Sequence, residues 1–207
     1  MQRVCFDDSF MDIECIQCNP VNAFAISICK KCTARQRIIL EFITSERTYR
    51  DDLRVLVEAI HPIEEILPQL EVSLIFRNIN SLYQLSNQLC EDLVNEGVHG
   101  NVGQVVLRYA DFFKMYAAYW IGDSQATELV YQHSHDNKQF QSVIANIKFP
   151  RGLVHLQDLL IGPTQRLPKY NLFLQEIIKL TPEEHRHSQH LKDALIKVRV
   201  HKHPYNR

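Results

Sequence analysis

A chain of 207 residues with 45% hydrophobic content is long enough to bury one sizeable core and a small appendage. Its formal net charge of −1 excludes a global field directed at nucleic acid or an anionic membrane. The N-terminal stretch MQRVCFDDSFMD lacks the apolar region of a signal peptide, and no apolar run approaches the ~18 residues of a membrane span, so a soluble, cytoplasmic protein with reduced thiols is expected.

The first 33 residues are short-range and cysteine-rich. Cys15-Ile-Gln-Cys18 and Cys29-Lys-Lys-Cys32 form two Cys-x-x-Cys pairs ten residues apart. Two-residue gaps let both sulfurs of a pair reach one metal, and four thiolates complete a tetrahedral Zn²⁺ site. A redox pair and chance clustering are the alternatives. With all four positions taken by sulfur no activated water fits, so the zinc would be structural and would supply the folding energy of its segment. Residues 1–11 are then a tail and 12–33 a four-cysteine zinc finger.

Beyond Thr33 long helical periodicities take over. Ile39, Phe42, Glu46, Tyr49, Leu53, Leu56 and Ile60 alternate at spacings of three and four, which predicts one continuous helix ended by Pro62. Leu74, Ile75, Ile79, Leu82, Leu85, Leu89 and Leu93 predict a second, closed by a loop at Glu96-Gly97 and Gly100. Tyr109, Phe112, Phe113, Tyr116 and Trp120 give a third an aromatic stripe that reads as core. QATELVYQHSHDNKQFQSVIANIK continues as helix. In LLIGPTQRLPKYNLFLQEIIKLT, Pro168 fits a first helical turn, and Tyr170, Phe173, Leu174 and Ile177 form the apolar stripe that follows. A last helix is expected from about Glu183. The fold class is all-α, an elongated bundle. His185, His187, His190, His201 and His203 lack the carboxylate or thiol partners of a metal site and read as polar loop and helix-start residues. No phosphate-cradling glycine loop and no hydrolase or metalloprotease motif is present, so covalent catalysis has no support.

LQDLLIGPTQRLPKYNLFLQEIIKLTP resembles the third conserved region of the Dbl-homology (DH) domain of Rho-family guanine-nucleotide exchange factors. ILEFITSERTYRDDLRVLVE and LIFRNINSLYQLSNQLCEDL resemble its first and second regions, with VVLRYADFFKMYAAYW and FPRGLVHLQDLL also in family order. Residues 35–207 are identified on this basis as a DH domain. The resemblance implies a factor that binds the switch regions of a Rho-, Rac- or Cdc-type GTPase and promotes GDP release without covalent chemistry. It implies Glu41 as the carboxylate facing switch I; by helical spacing Glu41 lies about 200° around from Ile39, off the core stripe. Lys169 matches the basic residue for switch II, and Asn206 a last-helix Asn contacting the same switch. Glu46, on the core stripe, is expected to be structural, as are Gln165 and Arg166.

The sequence departs from the family in two places. Gly162 stands where Lys is common, and Pro204 shortly precedes Asn206, so the last helix is expected to be truncated and exchange weakened. The pleckstrin-homology domain that usually follows a DH domain has no residues here. The alternative is a docking or scaffold protein that binds a GTPase without stimulating exchange. Cys18-x3-Asn22-x6-Cys29 resembles a Ran-binding-protein-type zinc finger, but Ile13 replaces its Trp, and Asn19-Pro20 stands where ubiquitin-binding members have Thr-Phe. Ubiquitin is therefore not carried over, no nucleic acid is expected, and the finger's partner is unassigned.

Overall fold

In a computed structural model, residues 30–152 and 155–200 are described. Ten α-helices occupy them: α1 Lys30–Glu64, α2 Gln69–Phe76, α3 Ile79–Glu96, α4 Val102–Tyr109, α5 Lys114–Ile121, α6 Asp123–Asp136, α7 Lys138–Asn146, α8 Leu156–Leu160, α9 Gly162–Lys179 and α10 Ser188–Val200. No strand occurs among the described residues, and no helix there is long and apolar enough to cross a membrane. At 1.5 Å per residue, the 35-residue α1 is about 52 Å long and forms the spine. It packs on α3 and α9, while α10 packs on α4 and α9.

The α1 stripe is buried as its spacing requires: Ile39, Phe42, Glu46, Leu53 and Leu56 have no exposed surface, Tyr49 has almost none, and Ile60 is partly covered. Pro62 does not end the helix, which runs to Glu64. Its ring forfeits one backbone hydrogen bond in the last turn, and Leu67 N–H still donates to Ile63 C=O at 3.0 Å.

Three expected continuous helices are interrupted. Between α2 and α3, Arg77 adopts φ 52°, ψ −122°, and its guanidinium lies 3.6 Å above the Tyr119 ring and 3.2 Å from Asp123. That contact stabilises a backbone geometry that L-residues seldom adopt. Gly122 leaves room for it, since a Cβ there would stand 3.1 Å from Arg77 Cδ. Between α4 and α5 the chain tightens into a 3₁₀ turn at Ala110–Phe113. Phe113, Tyr116 and Trp120 of the aromatic stripe are core, but Phe112 is half-exposed. Between α6 and α7, Asn137 is extended, and its side chain accepts from Phe140 N–H at 3.0 Å, capping the second helix.

The proline-rich entry differs from expectation. Helix α9 starts at Gly162, so Pro163 takes the first turn, where no donor is needed, and Pro168 lies inside. The last helix begins at Ser188, five residues later than expected, after turns at Leu180–His187. There His190 Nδ1 pairs with Asn101 Nδ2 at 2.7 Å. Helix α10 approaches α4 closely at Gly103, where a Cβ would stand 2.7 Å from Leu191 N. Pro204 and Asn206 lie outside the described residues.

Candidate functional site: a charged groove between α1 and α9

Helices α1 and α9 meet along two faces of different chemistry. On the inner face, Glu46 and Arg166 are both buried and ion-paired. Arg166 Nε donates to Glu46 Oε2 at 3.0 Å, Tyr170 OH donates to the same oxygen at 2.7 Å, and Ser86 Oγ donates to Oε1 at 2.5 Å. The guanidinium also reaches Ser45 Oγ at 2.9 Å and sits 4.8 and 4.7 Å from the Tyr49 and Tyr170 ring centres. Burial and the Glu46 carboxylate push the Tyr170 hydroxyl well up, so it stays a neutral donor. Glu46, expected to be structural from its place on the core stripe, and Arg166, expected to be so as part of its motif, form a buried pair; Gln165, of the same motif, is exposed.

The outer face is an open groove of about 610 Å³. Arg37, Glu41, Thr44, Thr48 and Asp52 line it from α1, and Gly162 and Lys169 from α9, with Tyr49 and Arg166 also facing it. The α1 residues follow one another at spacings of three and four, a second helical stripe opposite in character to the apolar one. Glu41 and Lys169, the two residues that the family resemblance assigns to switch I and switch II, are 128 positions apart by subtraction and line one groove. Both are exposed, and neither makes an ion pair among the described residues. Partial burial, then the nearby Arg166 and Arg151 cations, lower the Lys169 ammonium below its ordinary range, while Asp52 opposes them.

The sequence did not single out Asp52 and Arg151. Arg151, in the turn before α8, places one guanidinium nitrogen 2.7 Å from both Asp52 oxygens across 99 positions of chain. Asp52 lay on the legible outer stripe, whereas nothing local to Arg151 points to α1. A Cβ at Gly162 would meet the Tyr49 ring at 3.7 Å, an ordinary contact.

Of the expected zinc ligands, Cys15, Cys18 and Cys29 lie outside the described residues, as does Asn206. Cys32 is partly covered in the first turn of α1. No group of three or more metal-binding side chains occurs among the described residues.

The molecule is thus a helical bundle with an open groove between its spine and a proline-containing helix. The RhoGEF domain model matches residues 38–206, and the chain belongs to that family. It is 30% identical over 181 residues to the myosin-M heavy chain of Dictyostelium discoideum, covering 79% of this chain and 10% of that one. Over 165 residues it is 29% identical to FYVE, RhoGEF and PH domain-containing protein 2 of Homo sapiens, covering 72% and 25%. Among solved structures, the complex of PDZ-RhoGEF DH/PH domains with GTP-γ-S-activated RhoA superposes with a TM-score of 0.75 at 25% identity, covering 85% of this chain and 54% of that one. The Vav1 exchange factor with its PH and C1 domains gives 0.76 at 25% identity, covering 83% and 48%. The chain thus spans a tenth to a quarter of those two relatives and about half of those solved chains.

Proposed function

We propose that this chain is a guanine-nucleotide exchange domain for a Rho-family GTPase and that the α1–α9 groove is its docking site. The observation that carries this reading is the pair of opposite charges, Glu41 and Lys169, on one groove of a RhoGEF-family bundle, neither of them ion-paired among the described residues. Glu41 engages switch I, and Lys169 meets switch II. The structural neighbour solved with RhoA supports a Rho-type partner. The factor forms no covalent bond. It stabilises a GTPase conformation in which Mg²⁺ and the phosphates are poorly held, and by linkage nucleotide weakens its own binding equally. A ~1,000-fold faster release requires about 4 kcal/mol of differential stabilisation at the barrier, within reach of a few charge-assisted hydrogen bonds beside an apolar surface.

In the same reading Asn206 adds a contact to switch II. The two Cys-x-x-Cys pairs would hold a structural Zn²⁺ through Cys15, Cys18, Cys29 and Cys32. Because Cys32 lies in the first turn of α1, such a finger would join the docking helix directly. The protein acts in the cytoplasm, where its GTPase partners are found.

The test is release of fluorescent GDP from Rho-, Rac- and Cdc-type GTPases by the full chain and by Glu41→Ala and Lys169→Ala. Acceleration on at least one GTPase, strongly reduced in both variants, is expected. Stable GTPase binding without acceleration would replace this reading with the docking-protein one. Stoichiometric zinc, measured on the same purified chain and lost on Cys15→Ser, tests the finger.

A further inference from the structure

An ion pair whose cation is half-exposed contributes little to stability, so the Arg151–Asp52 pair on the rim of the groove calls for another explanation. Three observations bear on it. Arg151 stands at φ 53°, ψ 32°, and the next residue, Gly152, at φ 74°. Two successive left-handed residues turn the chain sharply, and the Arg151 side chain leaves that turn to reach α1. Its Nη2 nitrogen sits 2.7 Å from each Asp52 oxygen, so both acceptors of the carboxylate face one cation. Third, Asp52 and Lys169 line the same groove, and the field of the Asp52 carboxylate acts on the Lys169 ammonium without an ion pair forming between them.

Asp52 is mostly covered, with a side-chain exposure of 19%. A covered carboxylate left without a cation is unfavourable and takes the next one within reach. Lys169 lines the same groove as Asp52 and makes no ion pair of its own among the described residues, so it is the cation open to capture. Lys169 carries a flexible four-carbon stem and a compact charge, which makes it easy to redirect. Its availability to a partner therefore depends on what holds Asp52.

We propose that Arg151 is a positioning residue of the exchange site: by occupying the Asp52 carboxylate it keeps the Lys169 amine free at the groove mouth for an acidic or carbonyl group of the GTPase. Asp52 is correspondingly a latent competitor of the GTPase for Lys169. This rests on the groove being the docking site. It adds that the contact made by Lys169 is controlled from the turn at Pro150–Gly152, which lies outside both docking helices.

The test compares Arg151→Gln with the double variant Asp52→Asn/Arg151→Gln by two independent measurements on the full chain. Exchange on a responsive GTPase is expected to fall about tenfold in Arg151→Gln, the loss expected when one charge-assisted hydrogen bond to the partner is diverted. Removing the capturing carboxylate in the double variant is expected to return most of that loss, which a purely structural role for Arg151 would not allow. The second measurement follows Lys169 itself, by NMR titration of chain whose lysines carry ¹³C-methyl groups, with Lys169→Arg to assign the resonance. Loss of the Arg151 cation raises its midpoint by itself, so the readout is the effect of Asp52: Asp52→Asn is expected to lower the Lys169 midpoint more in the Arg151→Gln background than in the unmodified chain. An equal effect of Asp52→Asn in both backgrounds, or a double variant as slow in exchange as the single one, overturns the proposal. Failure of the unmodified chain to accelerate any GTPase would instead overturn the docking-site reading, while the titration would still decide whether Arg151 and Lys169 compete for Asp52.

Discussion

Glu46 and Glu41 sit five positions apart on one helix, and Arg166 and Lys169 three apart on another, yet the two pairs have opposite fates. Glu46 and Arg166 are buried, where each finds the other, two hydroxyl donors to the carboxylate and the Tyr49 and Tyr170 rings beside the guanidinium. Glu41 and Lys169 face the groove and find no ion-pair partner among the described residues. Glu46 and Glu41 differ in helical phase by about 140°. Arg166 and Lys169, at i, i+3, share a side of α9, so there depth and the waiting Glu46 carboxylate, not residue type, separate a paired charge from an exposed one. A charge saturated by its own chain has nothing left to offer a GTPase.

The strongest way to break this comparison is to strip the inner pair. Arg166→Met would leave the Glu46 carboxylate buried without its cation, and a loss of about 3–5 kcal/mol in unfolding free energy is expected by urea denaturation. A loss below about 1 kcal/mol would mean that the inner pair does not lock α1 to α9. The outer pair should behave in reverse. Glu41→Ala and Lys169→Ala should each slow exchange about 10- to 100-fold, equivalent to about 1.4–2.7 kcal/mol, while unfolding free energies shift by less than about 0.5 kcal/mol. Equal effects on folding and exchange would erase the distinction between the faces.

Two glycines sharpen the contrast at lower energy. At Gly103 a Cβ would meet the Leu191 backbone nitrogen at 2.7 Å and the His190 carbonyl carbon at 2.8 Å, neither of which can move without shifting α10. Gly103→Ala is expected to cost about 1–3 kcal/mol, measured by urea denaturation. Gly162, on the groove, has room, with the Tyr49 ring at 3.7 Å. Gly162→Ala is expected to raise stability by about 0.4–1 kcal/mol in the same assay, chiefly by restricting the unfolded chain. A destabilised Gly162→Ala would show that the groove wall is as tightly packed as the α4–α10 contact.

The α1 core stripe was legible because a 3.6-residue period repeats over many turns, and Glu46 within that stripe announced its own burial. The breaks between helices were less legible. Arg77 turns the chain through a φ of 52° that becomes favourable only with Tyr119 beneath its guanidinium and Gly122 beside it, neither of them near it in sequence. Pro168 read as a helix start because its local pattern matches one, yet the helix begins earlier, at Gly162, with buried Pro163 in its first turn. Glu41 and Lys169 came from family resemblance, since an exposed Glu or Lys carries no local signal of function.

What the sequence by itself determined was the periodicity, and with it the helical class, the buried faces and the family, because those depend on residues a few positions apart on one helix. The tertiary structure decided which charges meet. Ion pairing falls off within a few ångströms, so the burial of Arg166 against Glu46, the hold of Arg151 on Asp52 and the availability of Lys169 beside them exist only once α1, α9 and the turn before α8 are packed together.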